Sequence, residues 1–256
     1  MLLMSSLAIC ILVVHIGFDR IPQPASYHDF ADTRQLSTMP NWANVLSNLP
    51  FILIGAWFMH QVFTRSHAEL LVNQSDFEDV LWMFFGFCLI GIGLGSSYYH
   101  LHPTTERLFW DRLPISLAFM TLFTSVISER ISERLGRMSF MPLLTLSVVS
   151  VFWWSLTESQ GHGDLRLYGV TQFYPLLVLP IMIWRCAPRY THGVMLIHAM
   201  GWYVVAKIVE VYDIGIYSWT GHFVSGHTLK HLFAGMAILL ITQMVLKRAP
   251  VTSMRV

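Results

Sequence analysis

Runs of about twenty apolar residues recur along nearly the whole chain, and nothing else constrains its fold as much. Eight stretches qualify: 2–18, 44–63, 79–101, 112–128, 139–157, 166–184, 193–212 and 228–246. At about 1.5 Å rise per residue, each is long enough to cross a hydrocarbon core of about 30 Å. Backbone groups in lipid must pair within their own segment, so such runs are helices. Their continuous apolarity excludes the alternating pattern of a membrane barrel. The connections are short, and no internal repeat or soluble domain interrupts them. Of the 256 residues 54% are hydrophobic and only 12% charged, about half the charged share of a soluble domain. The expectation is an all-α polytopic membrane protein. A seven-helix transmembrane bundle occupies 44–246, with an extra N-terminal transmembrane helix at 1–18, an extracytoplasmic loop at 19–43 and a cytoplasmic tail at 247–256.

Charge excludes some functions and orients the bundle. A net charge of +1 gives no basic field for nucleic acid. The three cysteines, Cys10, Cys88 and Cys186, lie in or at the edge of apolar runs, which argues against a disulfide framework or a cysteine metal cluster. Residues 2–18 have a signal-like length, but no Lys or Arg precedes them and no small-residue cleavage site follows, so an uncleaved helix is expected. Counting sides by alternation, nine cations (Arg65, Arg130, Arg134, Arg137, Arg185, Arg189, Lys247, Arg248, Arg255) fall with the N-terminus. Six (Arg20, Arg34, Arg107, Arg112, Arg166, Lys230) fall opposite, and Lys207 is intramembrane. The excess places both termini in the cytoplasm.

Ionisable side chains in apolar helices cost about 2.5–3.5 kcal/mol each on insertion scales, so they need a reason. The third run ends Gly91-Ile-Gly-Leu-Gly95-Ser96-Ser97-Tyr98-Tyr99-His100. Ser96 and His100, four apart, share a helical face, and Gly91 and Gly95 have the spacing that lets another backbone come close. Eleven residues past His100 comes Asp111, where the fourth run begins, with Pro114 suited to a first turn. The last run opens with His227 and His231, again on one face and spaced so that two imidazoles can ligate one ion. Alternation brings all five residues to one depth near the outer leaflet. Three histidines with a fourth position open are the ligand set of a catalytic zinc, with a carboxylate and a hydroxyl nearby. Each residue also has a plainer reading: interfacial or capping histidines, a packing hydroxyl at Ser96, a helix N-cap at Asp111.

In order and spacing, Ser96/His100, Asp111 and His227/His231 resemble the alkaline ceramidases, seven-helix intramembrane zinc hydrolases. The stretch Asn41-Trp42-Ala43-Asn44-Val45-Leu46-Ser47-Asn48 adds to the likeness, which spans about residues 27–246 and suggests a bacterial branch of the family. The resemblance implies zinc (Zn2+) on His100, His227 and His231. It implies Asp111 as the residue that orients and deprotonates water, and Ser96 as the one that steadies the carbonyl oxygen. It also implies a ceramide-like membrane lipid as substrate and an active site facing the extracytoplasmic side of a bacterial inner membrane. Eukaryotic members carry a calcium (Ca2+) site, for which Asp29 and Asp32 remain here. Arg34 stands where an oxygen ligand is expected and Asn41 where an acid is expected, short of the six to eight oxygens calcium prefers.

Lys230, inside the HxxxH, is expected to project away from the histidines and snorkel to headgroups. Lys207 and Glu210 form an i,i+3 pair that is either structural, a polar wall of the substrate cavity, or a support for the site near Asp213. His28, His102, His198 and His222 are either supporting groups of the site or interfacial. Three function classes follow. The leading one is a zinc-dependent amidohydrolase acting on ceramide or a related N-acyl lipid. The alternative is a non-catalytic lipid-binding or sensing protein with structural zinc. A transporter fits worst, because its polar groups should cross the bilayer rather than gather at one side.

Overall fold

The computed structural model describes residues 2–67 and 75–251. Among these residues no strand forms, and the chain is a bundle of helices: α1 (Leu2–Gly17), α2 (Trp42–Leu46), α3 (Leu49–His67), α4 (Asp76–Leu101), α5 (Thr105–Arg130), α6 (Glu133–Ser159), α7 (Arg166–Arg185), α8 (Val194–Val211), α9 (Asp213–Trp219) and α10 (Gly226–Lys247). Six spans are long and apolar enough to cross a membrane: Trp42–Arg65, Asp76–Leu101, Glu133–Ser159, Arg166–Arg185, Val194–Val211 and Gly226–Lys247. The protein is an all-α, multi-pass membrane protein. Two of the eight expected spans do not meet that measure. α1 has 16 residues, and α5 is long enough but carries Glu106, Arg107, Asp111 and Arg112 in its first two turns.

α5 is polar because it is central. It packs against α4, α6 and α7 and is buried over most of its length. Lipid tails are as apolar as leucine, so helices in a bilayer associate through close packing and interhelical hydrogen bonds. α5 uses both. Ser116 Oγ donates to Thr171 Oγ1 on α7 at 3.2 Å, and Ser147 Oγ on α6 donates to the Ser116 carbonyl at 3.1 Å. Apolar packing fills the remainder, with Phe58, Leu81, Leu89, Phe123 and Ile127 fully buried.

Two glycines set the distances that matter for the site. A Cβ on Gly95 of α4 would lie 2.0 Å from the Trp110 carbonyl of α5, so only glycine permits this crossing. A Cβ on Gly226 of α10 would lie 2.1 Å from the Val209 carbonyl and 2.8 Å from Asp213 Cα, seating the start of α10 on the α8–α9 junction.

The helix limits correct one expectation. α5 begins at Thr105 rather than near 112, and its N-cap is Thr104, whose hydroxyl accepts from Arg107 N–H at 3.3 Å. Asp111 therefore lies inside the helix instead of capping it, and Pro114 is internal rather than in the first turn. The extended Thr104 and its cap were masked in the sequence by the charges that follow them. The span at 44–63 is also interrupted. α2 stops at Leu46 and α3 starts at Leu49, with Ser47 and Asn48 between.

α1 is docked along α7. Ser6 Oγ and Tyr174 Oη lie 2.6 Å apart, and Arg166 Nη1 donates to the carbonyls of His15 (3.0 Å) and Phe18 (2.7 Å) near the end of α1. Asp164 grips that arginine through Nε (2.8 Å) and Nη2 (2.7 Å). The Arg166 hydrogen bonds hold the Asp164 carboxyl down to about 2.

Candidate functional site

Gly95 brings the end of α4 against α5, and Gly226 turns the start of α10 toward the same point. His100, His227 and His231 meet there, all at most 5% exposed. Their ring centroids form a nearly equilateral triangle with sides of 4.8, 5.0 and 4.9 Å. One nitrogen from each lies within 4.8 Å of the other two, so the three could hold a metal ion. His100 Nε2 and His227 Nε2 are 3.3 Å apart. Two nitrogens about 2.0–2.1 Å from a tetrahedral zinc are separated by about 3.3 Å, so this pair already has the spacing of two zinc ligands.

The surrounding groups fix the rings. Ser47 Oγ donates its only proton to the Asn44 carbonyl at 3.0 Å, so it accepts from His231 Nδ1–H at 2.7 Å. His231 is thereby the tautomer whose Nε2 lone pair is free for the centre, the arrangement that prepares metal-ligating histidines. Asn41 Nδ2 donates to the His100 carbonyl at 2.9 Å. This asparagine adopts φ 50°, a left-handed conformation that Asn tolerates better than most residues. Asp213, at the start of α9, uses both oxygens: Oδ1 accepts from His227 N–H at 2.7 Å and Oδ2 from Ala31 N–H at 2.9 Å. The loop is thus pinned to the first turn of α10. Phe30 lies over the cluster, with ring centroids 4.7 Å from His100 and 4.4 Å from His227.

Asp111 and Ser96 stand beside the histidines. Both are buried, and the Ser96 hydroxyl interacts with the Asp111 carboxylate across the α4–α5 crossing. Ser96, Asp111 and His231 line a cavity of about 420 Å³, a size that suits a small-molecule or single-chain ligand. Phe85, Leu89, Ile115, Leu122, Leu179 and Ile241 give its other walls their apolar character. Of the five residues singled out for spacing, the three histidines thus form one cluster, Ser96 and Asp111 interact with each other, and His231 shares the cavity wall with both.

Lys230 does not snorkel. It lines the cavity with Lys207, and its ammonium pairs with Glu210 Oε1 at 2.6 Å while Lys207 takes Glu210 Oε2. A lysine inside the bundle gains more from that carboxylate than from a headgroup it would reach only by unpacking α10 from α8.

The two acids considered for calcium are arranged differently. Asp32 is 1% exposed and bound by Arg34, through Nε at 2.9 Å and Nη2 at 2.7 Å. Burial opposes its charge, but the Arg34 hydrogen bonds win and hold the carboxyl below its ordinary value. Arg34 also donates to the Phe223 carbonyl at 2.9 Å and stacks over Trp42 and Tyr217. A fixed cation thus occupies the Asp32 carboxylate, and Asp29 is exposed.

Of the four additional histidines, His28 alone joins the site, bonding Tyr99 Oη at 2.8 Å through Nδ1 and Thr105 Oγ1 at 3.1 Å through Nε2. Burial, then repulsion from Arg112, lowers its pKa and keeps it neutral near pH 7. His102, His198 and His222 are exposed. Phe30 and Ser47 escaped the sequence reading as site residues, although Ser47 lies in the Asn41–Asn48 stretch that carried the family likeness. No family model, curated protein or solved structure matches the chain.

Proposed function

We propose that the protein is a zinc-dependent hydrolase of the bacterial inner membrane, with its site toward the extracytoplasmic face, that cleaves the amide bond of ceramide or a related N-acyl lipid. One observation carries this reading. Three converging histidine nitrogens form a buried cluster, and one of those histidines, His231, lines a largely apolar cavity together with a buried carboxylate, Asp111, and a hydroxyl, Ser96. The likeness of Ser96/His100, Asp111 and His227/His231 to the alkaline ceramidases supports it, and the nine-to-six distribution of cations supports the orientation.

The donor set suits zinc: three neutral imidazoles, one with its tautomer fixed by Ser47, leave a fourth position for water or substrate. Zinc held there supplies Lewis acidity toward water and an amide carbonyl. Asp111 takes the proton from the attacking water on a carboxylate oxygen and returns it to the leaving amine nitrogen, so the amine departs neutral. Ser96 turns its hydroxyl proton toward the carbonyl oxygen as negative charge grows there. The apolar walls hold the acyl chain and exclude bulk water, which strengthens both interactions. Phe30 closes the cluster on its loop side.

Release of labelled fatty acid from ceramide, for the parent beside Asp111→Asn, tests the assignment. Turnover should fall by about 10²–10⁴-fold in the variant with zinc content unchanged. Equal rates in parent and variant would contradict the role of Asp111. Zinc present with no turnover of any acyl lipid would favour a lipid-binding protein with a structural metal.

A further inference from the structure

Arg112 follows Asp111 on α5 and forms part of the cavity wall. It is 5% exposed, and arginine buried to that degree normally has a carboxylate partner. Arg112 has none among the described residues: the ion pairs formed there all involve other cations. Its Nη2 donates to a neutral acceptor, Gln23 Oε1, at 2.5 Å. Its guanidinium lies among three aromatic rings, with Cζ 4.1 Å from the centroid of Trp154, 5.0 Å from Tyr168 and 5.4 Å from Tyr27. Nη1 is buried and without a hydrogen-bond partner. Gln23 is itself held, its N–H donating to Glu158 Oε2 at 2.9 Å.

The cations around the cavity are not all paired. Lys207 and Lys230 share the one carboxylate of Glu210, and Asp111 is the other acid nearby. Of Lys207, Lys230 and Arg112 on the cavity wall, Arg112 alone forms no ion pair among the described residues. Arg112 presents a planar guanidinium with open N–H groups, a fork that matches the two oxygens of a carboxylate, as it does those of a phosphate.

We propose that Arg112 is a recognition site for a carboxylate carried by the acyl lipid. This rests on the reading of the cavity as an N-acyl lipid site and adds a preference, among such lipids, for those whose amine half bears a carboxylate within a few bonds of the amide. Asp111 and Arg112 line the same cavity and interact through their charges, so a group bound by Arg112 shares that cavity with the scissile bond. The fatty acid released by hydrolysis carries the same chemistry and would compete for the same guanidinium.

The test is displacement of a fluorescent fatty alcohol, a neutral cavity ligand, from detergent-purified full-length protein. The competitors are N-palmitoylglycine, N-palmitoylethanolamine and palmitate. N-palmitoylglycine should compete about 10-fold or more better than its neutral counterpart, the size of a lost charge-assisted hydrogen bond. Arg112→Gln should reduce that ratio to about one while leaving displacement by N-palmitoylethanolamine unchanged. Palmitate binding as tightly as N-palmitoylglycine, with the same loss in Arg112→Gln, would assign the site to the released acid. A ratio near one in the parent, or a ratio retained in Arg112→Gln, overturns the proposal. If Arg112→Gln does not fold, the parent ratio decides together with Arg112→Lys, which keeps the charge but loses the fork and should reduce the preference. Zinc content and turnover are read separately. Preference for the acid without zinc sinks the hydrolase reading alone, and zinc with turnover but no preference sinks only the Arg112 site.

Discussion

The two ends of α4 and α10 carry opposite kinds of polar cluster. Glu78 near the start of α4 and His100 near its end are separated by about 33 Å of helix. At the Glu78 end each arginine has a carboxylate partner: Arg248 Nη2 lies 2.7 Å from Glu78 Oε2 and Arg189 Nη1 3.7 Å from Oε1. Tyr190 Oη also donates to Glu78 at 2.8 Å, and Arg130 pairs with Glu129 at 3.1 Å. At the His100 end, imidazole nitrogens face one another, and a carboxylate, a hydroxyl and an arginine without an acid partner look onto a cavity. A closed network fastens the end of α10 to the bundle, whereas an open one is completed by something bound. The distinction separates structural charge from functional charge in a membrane interior, where both look equally improbable in sequence.

The largest effect that would break this comparison belongs to the closed end. Glu78→Ala leaves Arg248 buried without its main partner and should lower stability by about 3–5 kcal/mol, read as denaturant unfolding in detergent. Zinc per folded chain should stay at the parent value. A stable Glu78→Ala, or one that loses zinc while folded, would erase the division between the ends.

A smaller effect sharpens the open end. Ser47→Ala removes the acceptor that holds His231 in its metal-ready tautomer and should weaken zinc affinity by about 10–100-fold, measured by chelator competition. The fold should survive, because among the described residues the Ser47 side chain bonds only the Asn44 carbonyl and His231. Unchanged affinity would remove the tautomer argument.

The smallest concerns α1. Asp164 has its folded value depressed to about 2 by Arg166, against about 3.9 for an unfolded aspartate. A depressed carboxyl contributes stability that is complete above the unfolded value and is lost as pH falls through the folded one. Asp164→Asn should therefore melt lower than the parent at neutral pH, with the gap shrinking between about pH 4 and pH 2. A gap independent of pH would show that the carboxylate charge is not what secures Arg166 and the end of α1.

Much of this was legible in the residues, for identifiable reasons. Apolar run length reports a membrane helix directly, and i,i+4 spacing reports a shared face, so Ser96/His100 and His227/His231 could be grouped and placed at one depth. Gly91 and Gly95 announced a close crossing but not its partner; that the Trp110 carbonyl fills the space beside Gly95 depends on the register of α5. The start of α5 was misplaced because four charges in its first two turns resemble a loop, whereas two of them, Asp111 and Arg112, are buried and line the cavity. The loop residues could not be read at all. Phe30 over the imidazoles and the two bonds of Asp213 require the loop to fold back onto α10, and periodicity carries no signal for a contact between a loop and a distant helix. Lys230 was assigned to the headgroups because its partner Glu210 lies on another helix, twenty residues earlier.

The central claim is that His100, His227 and His231 form one zinc site. Metal content per chain, measured on detergent-purified protein never exposed to chelator, tests it for the parent beside His231→Ala. About one zinc per chain in the parent and little in the folded variant is the predicted result. No metal in a folded parent, or equal metal in both, would contradict it.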